Sequence, residues 1–136
     1  MSDPNESLTV TPESAAALCD AYLQGLVAGD LESVVSLFSS DATVEDPVGS
    51  DIKQGEEALR AFYQIACDSV TGAERIGPPR IAGSDIAFAF TITVGEAPNA
   101  MCIDIIDVFS CDSAGKVCGM RAYWGPDNMR AAEASR

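Results

Sequence analysis

Carboxylates are the groups in this 136-residue chain that could transfer protons, because the sequence contains no histidine. Two adjacent acids, Glu45 and Asp46, precede a proline in the segment DATVEDPVGS, and two more, Asp104 and Asp107, interrupt the apolar segment CIDIIDVF. The missing imidazole excludes Ser-His-Asp and Cys-His nucleophile systems and HExxH zinc sites. The sequence also lacks GxGxxG, P-loop and GxSxG motifs. Any acid–base chemistry therefore depends on carboxylates and tyrosines.

The spacing of these acids does not separate a catalytic group from a solvated one. Glu45 and Asp46 are consecutive at the end of a predicted strand, so their side chains point to opposite faces and enter a turn. Alternation along CIDIIDVF also places Asp104 and Asp107 on opposite faces, each among apolar neighbours. Because aspartate is costly to bury, we expect at least one of this second pair to have a specific partner or a raised pKa. For each acid taken singly, the pattern alone favours a solvated side chain.

Tyr22 and Tyr63 are positioned by two predicted helices. Thr11 and Pro12 begin the first helix as a capping hydroxyl and a first-turn proline. The third helix runs from about Glu56 to Cys67 with an apolar stripe. Both tyrosines lie on such stripes, where the pattern favours core aromatics whose hydroxyls are satisfied locally.

The remaining elements predict an α+β domain. Gly29 ends the first helix, and Asp30 can cap a second short helix that carries apolar residues from Val34 to Phe38. The segment ATVED reads as a strand that must end at Pro47. Four β-rich segments follow: ERIGPPRI, DIAFAFTITV, AMCIDIIDVFSC and VCGMRAYWG. Short connections favour antiparallel neighbours, so we expect helices first and then a meander, with the helices on one face of the sheet.

The bulk composition predicts one domain over residues 1–136, with flexible, polar tails at about 1–10 and 129–136. A net charge of −13 disfavours nucleic acid and anionic membranes as partners. No apolar run approaches the roughly 20 residues needed to span a bilayer, and the start does not resemble a signal peptide. Five cysteines without a CxxC pair favour a reducing, cytoplasmic location over a disulfide framework or a zinc site. CIDIIDVF is apolar at both parities, which a homodimer on the open sheet face would explain.

Four segments carry a resemblance to a known family: TVEDPVG, FY at residues 62–63, DIIDVF and MRAYWG. In this order and spacing the chain, from about Leu18 to Asn128, resembles the bacterial steroid Δ5-3-ketoisomerases. The resemblance implies a cone-shaped α+β fold, in which three N-terminal helices pack in a strongly curved, mostly antiparallel sheet. Nuclear transport factor two, scytalone dehydratase and small polyketide cyclases share that fold. It also implies a homodimer, a 3-oxo-steroid substrate and no cofactor or metal.

The resemblance assigns roles residue by residue. Asp46 matches the general base that moves a proton from C4 to C6 of the steroid. Tyr22 and Asp107 match the two donors of the oxyanion hole, and Tyr63 matches a tyrosine that hydrogen-bonds the first. Trp124 matches an aromatic near the site. The family is itself the standard example of a carboxylic acid kept neutral at pH 7 for hydrogen-bond donation.

Apolar residues around Asp107 are expected to raise its pKa and to line a binding site for a flat, neutral sterol. They are Ile105, Phe109, Met120 and Trp124. Phe38 departs from the family pattern, because some members have a further tyrosine there, and a shorter hydrogen-bond network is implied. Two alternatives stay open: a related small-molecule lyase or polyketide cyclase, and a non-catalytic steroid-binding module on the same fold.

Overall fold

The computed structural model describes residues 10–132. Two helices are followed by two strands and a third helix, and five further strands complete the described chain. In chain order they are α1 (Pro12–Ala28), α2 (Leu31–Val35), β1 (Phe38–Glu45), β2 (Lys53–Gln54), α3 (Glu56–Ser69), β3 (Val70–Ala82), β4 (Asp85–Val94), β5 (Met101–Cys111), β6 (Val117–Tyr123) and β7 (Met129–Ala131). A 3-10 turn, Pro126–Asn128, connects β6 to β7.

The helix ends follow their capping residues. Thr11 accepts a hydrogen bond from the Ser14 N–H, and the Ser14 hydroxyl oxygen accepts one from the Thr11 N–H, which forms a reciprocal cap for α1. Gly29 closes α1 in the left-handed conformation with φ 68°. Asp30 caps α2 through the Ser33 N–H. These caps confirm the predicted starts of both helices and the predicted end of α1.

The second helix is shorter than its apolar spacing indicated. It ends at Val35, and Phe38 is the first residue of β1 rather than the last turn of a helix. The Leu37 carbonyl accepts a hydrogen bond from the Val117 N–H, and Phe38 lies beside Val117 in the sheet. Pairing with β6 therefore outweighs a weak local helical pattern.

The sheet is curved, open and mixed, with the order β2-β1-β6-β5-β4-β3. Strands β3 to β6 form the predicted antiparallel meander, and β1 joins its far edge parallel to β6. Bulges in β3 interrupt its pairing with β4, which bends and twists the strands locally. This three-helix, curved-sheet α+β architecture confirms the predicted fold class. Within residues 10–132, no helix is both long and apolar enough to cross a membrane.

The expected C-terminal tail is wrong for residues 129–131, which form β7. Met129 pairs with Ile103 and Ala131 with Met101. Because β6 pairs with β5 only from Ile106 onward, the first residues of β5 have unpaired backbone groups on that side. The returning chain satisfies them. Residues 1–9 and 133–136 of the expected tails lie outside the described residues.

The core lies between the helices and the concave face of the sheet. Its centre is a cluster of aromatic side chains in tilted and edge-to-face contact, with centroids 5.1 to 6.4 Å apart. The cluster contains Tyr22, Phe38, Tyr63, Phe88 and Phe109. Each is almost fully buried, and burying a side chain of this size contributes about 1.5–3 kcal/mol. The two tyrosine hydroxyls are thus buried among apolar side chains.

Candidate active site

Asp46 lies where β1 ends beside the end of β6. Parallel pairing aligns Glu45 with Arg121, and the Val48 N–H donates to the Ala122 carbonyl over 2.8 Å, so the chain stays against β6 beyond the proline. The indole N–H of Trp124 donates to Asp46 Oδ1 over 2.7 Å. Burial raises the pKa of Asp46, and the Trp124 hydrogen bond partly opposes that rise. The carboxylate is therefore partly desolvated and held by one oxygen.

Glu45 has the opposite environment. Its Oε2 accepts a hydrogen bond from the Gly49 N–H at 2.9 Å, and its Oε1 accepts one from Arg121 Nε at 3.2 Å. These contacts, the Gly49 N–H first, hold the pKa of Glu45 below its usual value. The two adjacent acids, which the local pattern could not distinguish, thus have pKa values shifted in opposite directions.

Asp107 is buried on the concave face, with 1% of its surface exposed. Its cross-strand neighbours are Phe88 on β4 and Ala122 on β6, and both are buried. Neither carboxyl oxygen has a hydrogen-bond partner among the described residues. Burial, and secondarily the charge of Asp46, raises the pKa of Asp107 well above its usual value. Because a buried polar group normally has a partner, an unpartnered carboxyl group at this position marks a candidate functional residue.

Asp104, the other acid of β5, lies on the opposite face of the strand from Asp107. It is exposed on the convex face, where it accepts a hydrogen bond from Thr91 at 2.7 Å and forms an ion pair with Arg130. These contacts, Thr91 first, lower its pKa. The expectation of a solvated acid therefore holds for Asp104, and the expectation of a perturbed one for Asp107.

Tyr22 and Tyr63 meet in the core, with their hydroxyl oxygens 3.0 Å apart. Burial raises both pKa values well above the usual range, so both hydroxyls keep their protons. One hydrogen bond between them uses only one of the two protons, and either hydroxyl can donate. If Tyr63 donates, the Tyr22 proton is free for a ligand. Asp107 lies beside Phe88 in the sheet and two residues from Phe109 on the same face of β5. Both of these rings contact the Tyr22 ring, at 6.4 and 5.2 Å, which places the acid and the two hydroxyls in one region.

Three of the four residues expected to line a sterol site are buried in the same core as these groups, and the fourth packs against it. Phe109 and Met120 are cross-strand partners and fully buried, and the Phe109 ring lies 5.2 Å from that of Tyr22. Ile105 is also buried, while Trp124 is only partly buried. Their packing accounts for the apolar surroundings, and direct contact with a substrate stays a prediction. In the part of the chain that the structure describes, no group of three or more Cys, Asp or Glu residues could hold a metal ion.

Comparison with known proteins gives this arrangement a family. A family model described as a SnoaL-like domain matches residues 19–120, three quarters of the chain. The chain belongs to the SnoaL-like family. It is 32% identical over 108 residues to the Steroid Delta-isomerase of Nocardioides simplex, an alignment that covers 79% of this chain and 87% of that protein. The resemblance seen in the sequence motifs is thereby confirmed at the level of the family.

Two further relatives extend the family toward other chemistry. Epoxide hydrolase LasB of Streptomyces lasalocidi is 31% identical over an alignment that covers 85% of this chain but only 46% of that protein. The epoxide hydrolase/cyclase-like enzyme SalBIII, which acts in pyran ring formation in the polyether salinomycin, has a superposable structure. Its TM-score is 0.80 at 26% identity, covering 88% of this chain and 97% of that one. The matched SnoaL-like relatives are thus enzymes of isomerase and of hydrolase/cyclase type.

Sequence reasoning missed two neighbours of Asp107 in this SnoaL-like chain. Phe88 and Ala122 flank the carboxyl group in register and contribute to its desolvation. The alternation in DIAFAFTITV could have indicated Phe88, since it places every second residue of that strand on the buried face. Phe38, whose ring is 5.3 Å from that of Tyr63, brings no hydroxyl. The third tyrosine of the chain, Tyr123, is exposed, so the network contains two hydroxyls.

The raised pKa of Asp107 makes a prediction about stability. The folded state keeps the Asp107 proton, whereas the unfolded chain releases it above about pH 3.9. The free energy of unfolding therefore falls as pH rises from that value toward the folded pKa of Asp107. Asp107→Leu removes this loss of stability. Above about pH 4, we expect the difference in unfolding free energy between Asp107→Leu and wild type to change in favour of the variant by about 1.4 kcal/mol per pH unit. Urea unfolding across this pH range measures the difference, and parallel curves for the two proteins would contradict the raised pKa.

Proposed function

We propose that this chain is a steroid Δ-isomerase, which converts Δ5-3-ketosteroids to Δ4-3-ketosteroids by moving a proton from C4 to C6. The observation that carries the proposal is Asp107, a fully buried acid with no hydrogen-bond partner among the described residues. Its neighbours Phe88, across the sheet, and Phe109, two residues along β5, both contact the Tyr22 ring. The similarity to a Steroid Delta-isomerase over most of both chains supports the proposal.

Asp46 is the proposed base. Its ionised carboxylate takes the C4 proton, the C4–H electrons form a dienolate with the 3-ketone, and the same carboxylate returns a proton to C6. Trp124 engages Oδ1, so Oδ2 is the oxygen left for the proton. Burial raises the pKa of Asp46, which brings it nearer to the pKa of the C4–H group and makes the carboxylate a stronger base. Positioned proton transfer of this kind is worth about 10² to 10⁴ in rate.

Tyr22 and Asp107 are the proposed donors to the dienolate oxygen. Both keep their protons because burial raises their pKa values, and Tyr63 can donate to Tyr22 so that the Tyr22 proton points to the ligand. A preorganised donor aimed at developing negative charge is worth about 3 kcal/mol in a water-excluded site. The apolar lining suits a neutral, rigid sterol, since no cation is needed to hold it.

Wild-type protein incubated with 5-androstene-3,17-dione tests the proposal. We expect the absorbance of the conjugated enone to grow in proportion to enzyme concentration, without added cofactor. A steroid that binds but does not exchange its C4 protons with deuterated water would instead indicate a non-catalytic binding module. Absence of both turnover and exchange would contradict the isomerase.

A second candidate reaction is epoxide opening or cyclisation, which the similarity to LasB and SalBIII favours. The pairing of a protonated Asp107 with an ionised Asp46 supplies a general acid and a general base for it. Asp107 would give its proton to the epoxide oxygen while Asp46 takes one from the attacking hydroxyl or water. Consumption of a hydroxy-epoxide, with no enone formed from the steroid, would favour this candidate.

We also propose the homodimer that the apolar parity of β5 predicted. A row of side chains crosses four strands in register on the convex face: Ile76, Ala89, Ile106 and Tyr123. The three large ones are 43 to 53% exposed, and an apolar row of this kind is typical of an interface. Light scattering at micromolar concentration should give the dimer mass, and Ile106→Lys should lower it. A wild-type monomer would contradict this proposal.

The cytoplasmic location predicted from the cysteines also remains a proposal. All five cysteines of the chain are free thiols in the structure, as a reducing compartment requires.

A further inference from the structure

The loop that carries Asp46 is tied down by the residue before it. Glu45 Oε2 accepts a hydrogen bond from the Gly49 N–H at 2.9 Å, which closes a ring around residues 45–49. Within that ring the Val48 N–H donates to Ala122, and the Pro47 carbonyl accepts from both the N–H and the hydroxyl of Ser50. The segment after Asp46 is therefore held at several points, and only the Glu45 contact spans it from end to end.

Arg121 and the strand pairing hold Glu45 itself. The two residues are partners in the parallel β1–β6 pair, and Arg121 Nε donates to Glu45 Oε1 over 3.2 Å. The Arg121 guanidinium carbon lies 5.6 Å from the centre of the Tyr123 ring, close enough for a cation–π contact. The Glu45 side chain is only 18% exposed. A carboxylate with both oxygens engaged and little exposure is better ordered than an ordinary surface acid.

From these contacts we propose that Glu45 is a positioning residue, whose hydrogen bond to the Gly49 N–H fixes the Asp46 carboxylate against Trp124 and over the substrate. The inference rests on the proposed isomerase function and adds a residue to it. Glu45 and Asp46 share one peptide bond, so a change in the loop closed by Glu45 moves Asp46 directly. A displacement of about 1 Å at a catalytic group can cost up to about 10²-fold in rate.

Two substitutions separate the hydrogen bond from the charge. Glu45→Ala removes the acceptor for the Gly49 N–H, whereas Glu45→Gln keeps an oxygen acceptor and loses the ion pair. We expect Glu45→Ala to lower kcat about tenfold with KM within about twofold of wild type. Glu45→Gln should retain kcat within about threefold. Glu32→Ala is the matched control, since Glu32 is a surface acid paired with an arginine, Arg60, on the helical side of the molecule.

Trp124 provides a readout that does not require turnover. It is the single tryptophan of the chain, and its indole N–H is bonded to Asp46. In wild type the one indole ¹⁵N–¹H resonance should shift with pH as Asp46 titrates, because Asp107, Tyr22 and Tyr63 keep their protons at acidic pH. Glu45 also titrates in this range, and Glu45→Gln removes that contribution while it keeps the hydrogen-bond acceptor. In Glu45→Ala that shift should lose most of its amplitude. In Glu45→Gln it should persist.

Circular dichroism establishes that each variant is folded at the assay temperature. Three outcomes would overturn the role of Glu45: an unchanged indole titration in Glu45→Ala, equal losses in the alanine and glutamine variants, or an equal loss in Glu32→Ala. A failure of the isomerase function would look different, because wild type would form no enone while the indole titration still responded to Glu45→Ala.

Discussion

Replacing Asp46 with asparagine is expected to remove nearly all isomerase activity and to lower kcat by about 10²- to 10⁴-fold. An amide cannot accept the C4 proton, yet its oxygen can still accept the hydrogen bond from the Trp124 indole N–H. The loop should therefore keep its position, and the loss should be confined to the proton transfer. Initial rates of enone formation from 5-androstene-3,17-dione measure it.

Asp51→Asn is the matched control for this substitution. Asp51 is an exposed acid shortly after the same loop, and its variant should keep wild-type kcat. Binding of the product, 4-androstene-3,17-dione, can be followed by quenching of Trp124 fluorescence, and Asp46→Asn should bind it within a few fold of wild type. Asp46→Asn protein that binds the product and still isomerises at the wild-type rate would remove Asp46 from the proposed mechanism.

Asp107 is expected to show a graded response to two substitutions. Asp107→Leu removes a hydrogen-bond donor from the oxyanion and should lower kcat by about 10² to 10³, the effect of losing one such donor. Asp107→Asn should lose less, because an amide N–H₂ can still donate to the dienolate oxygen. The order of the two variants therefore reports whether the acid acts as a neutral donor.

Asp104 offers an internal control on the same strand. Asp104→Asn makes the same chemical change three residues away on the convex face, where the carboxylate is exposed and ion-paired. It should leave kcat unchanged. If Asp107→Leu and Asp107→Asn were equally impaired while both stayed folded and bound the product, the assignment of Asp107 as a donor would be wrong.

Local sequence signals were enough for most of the elements. The Thr11–Pro12 start, the Gly29 stop and the Asp30 cap each satisfy backbone groups within a few residues, so their effect does not depend on the rest of the fold. The β-rich composition of the later segments and the short turns between them likewise predicted the meander. The motif resemblance then indicated the family and its cone-shaped sheet. Asp46, Tyr22, Tyr63 and Asp107 were all selected from the sequence as candidate site residues.

Contacts between distant segments determined what the local signals left open. The parallel pairing of β1 with β6 ended α2 early and brought Asp46 to Trp124, and the unpaired edge of β5 drew residues 129–131 into β7. Neither pairing has a signature in the paired segments alone, because the strand partner is chosen by the free energy of the whole sheet.

The same reasoning applies to the two acidic pairs, Glu45 with Asp46 and Asp104 with Asp107. Composition and strand period determined that carboxylates and tyrosines must carry any acid–base chemistry and that each acidic pair is split between two faces. Only the tertiary structure decided which face is desolvated. Asp46 and Asp107 are turned inward with raised pKa values. Glu45 is turned to Arg121 and the Gly49 N–H, and Asp104 to Arg130 and solvent, and both have lowered pKa values. Burial is a property of the packed helices and sheet together, and it sets the protonation state that a sequence pattern cannot.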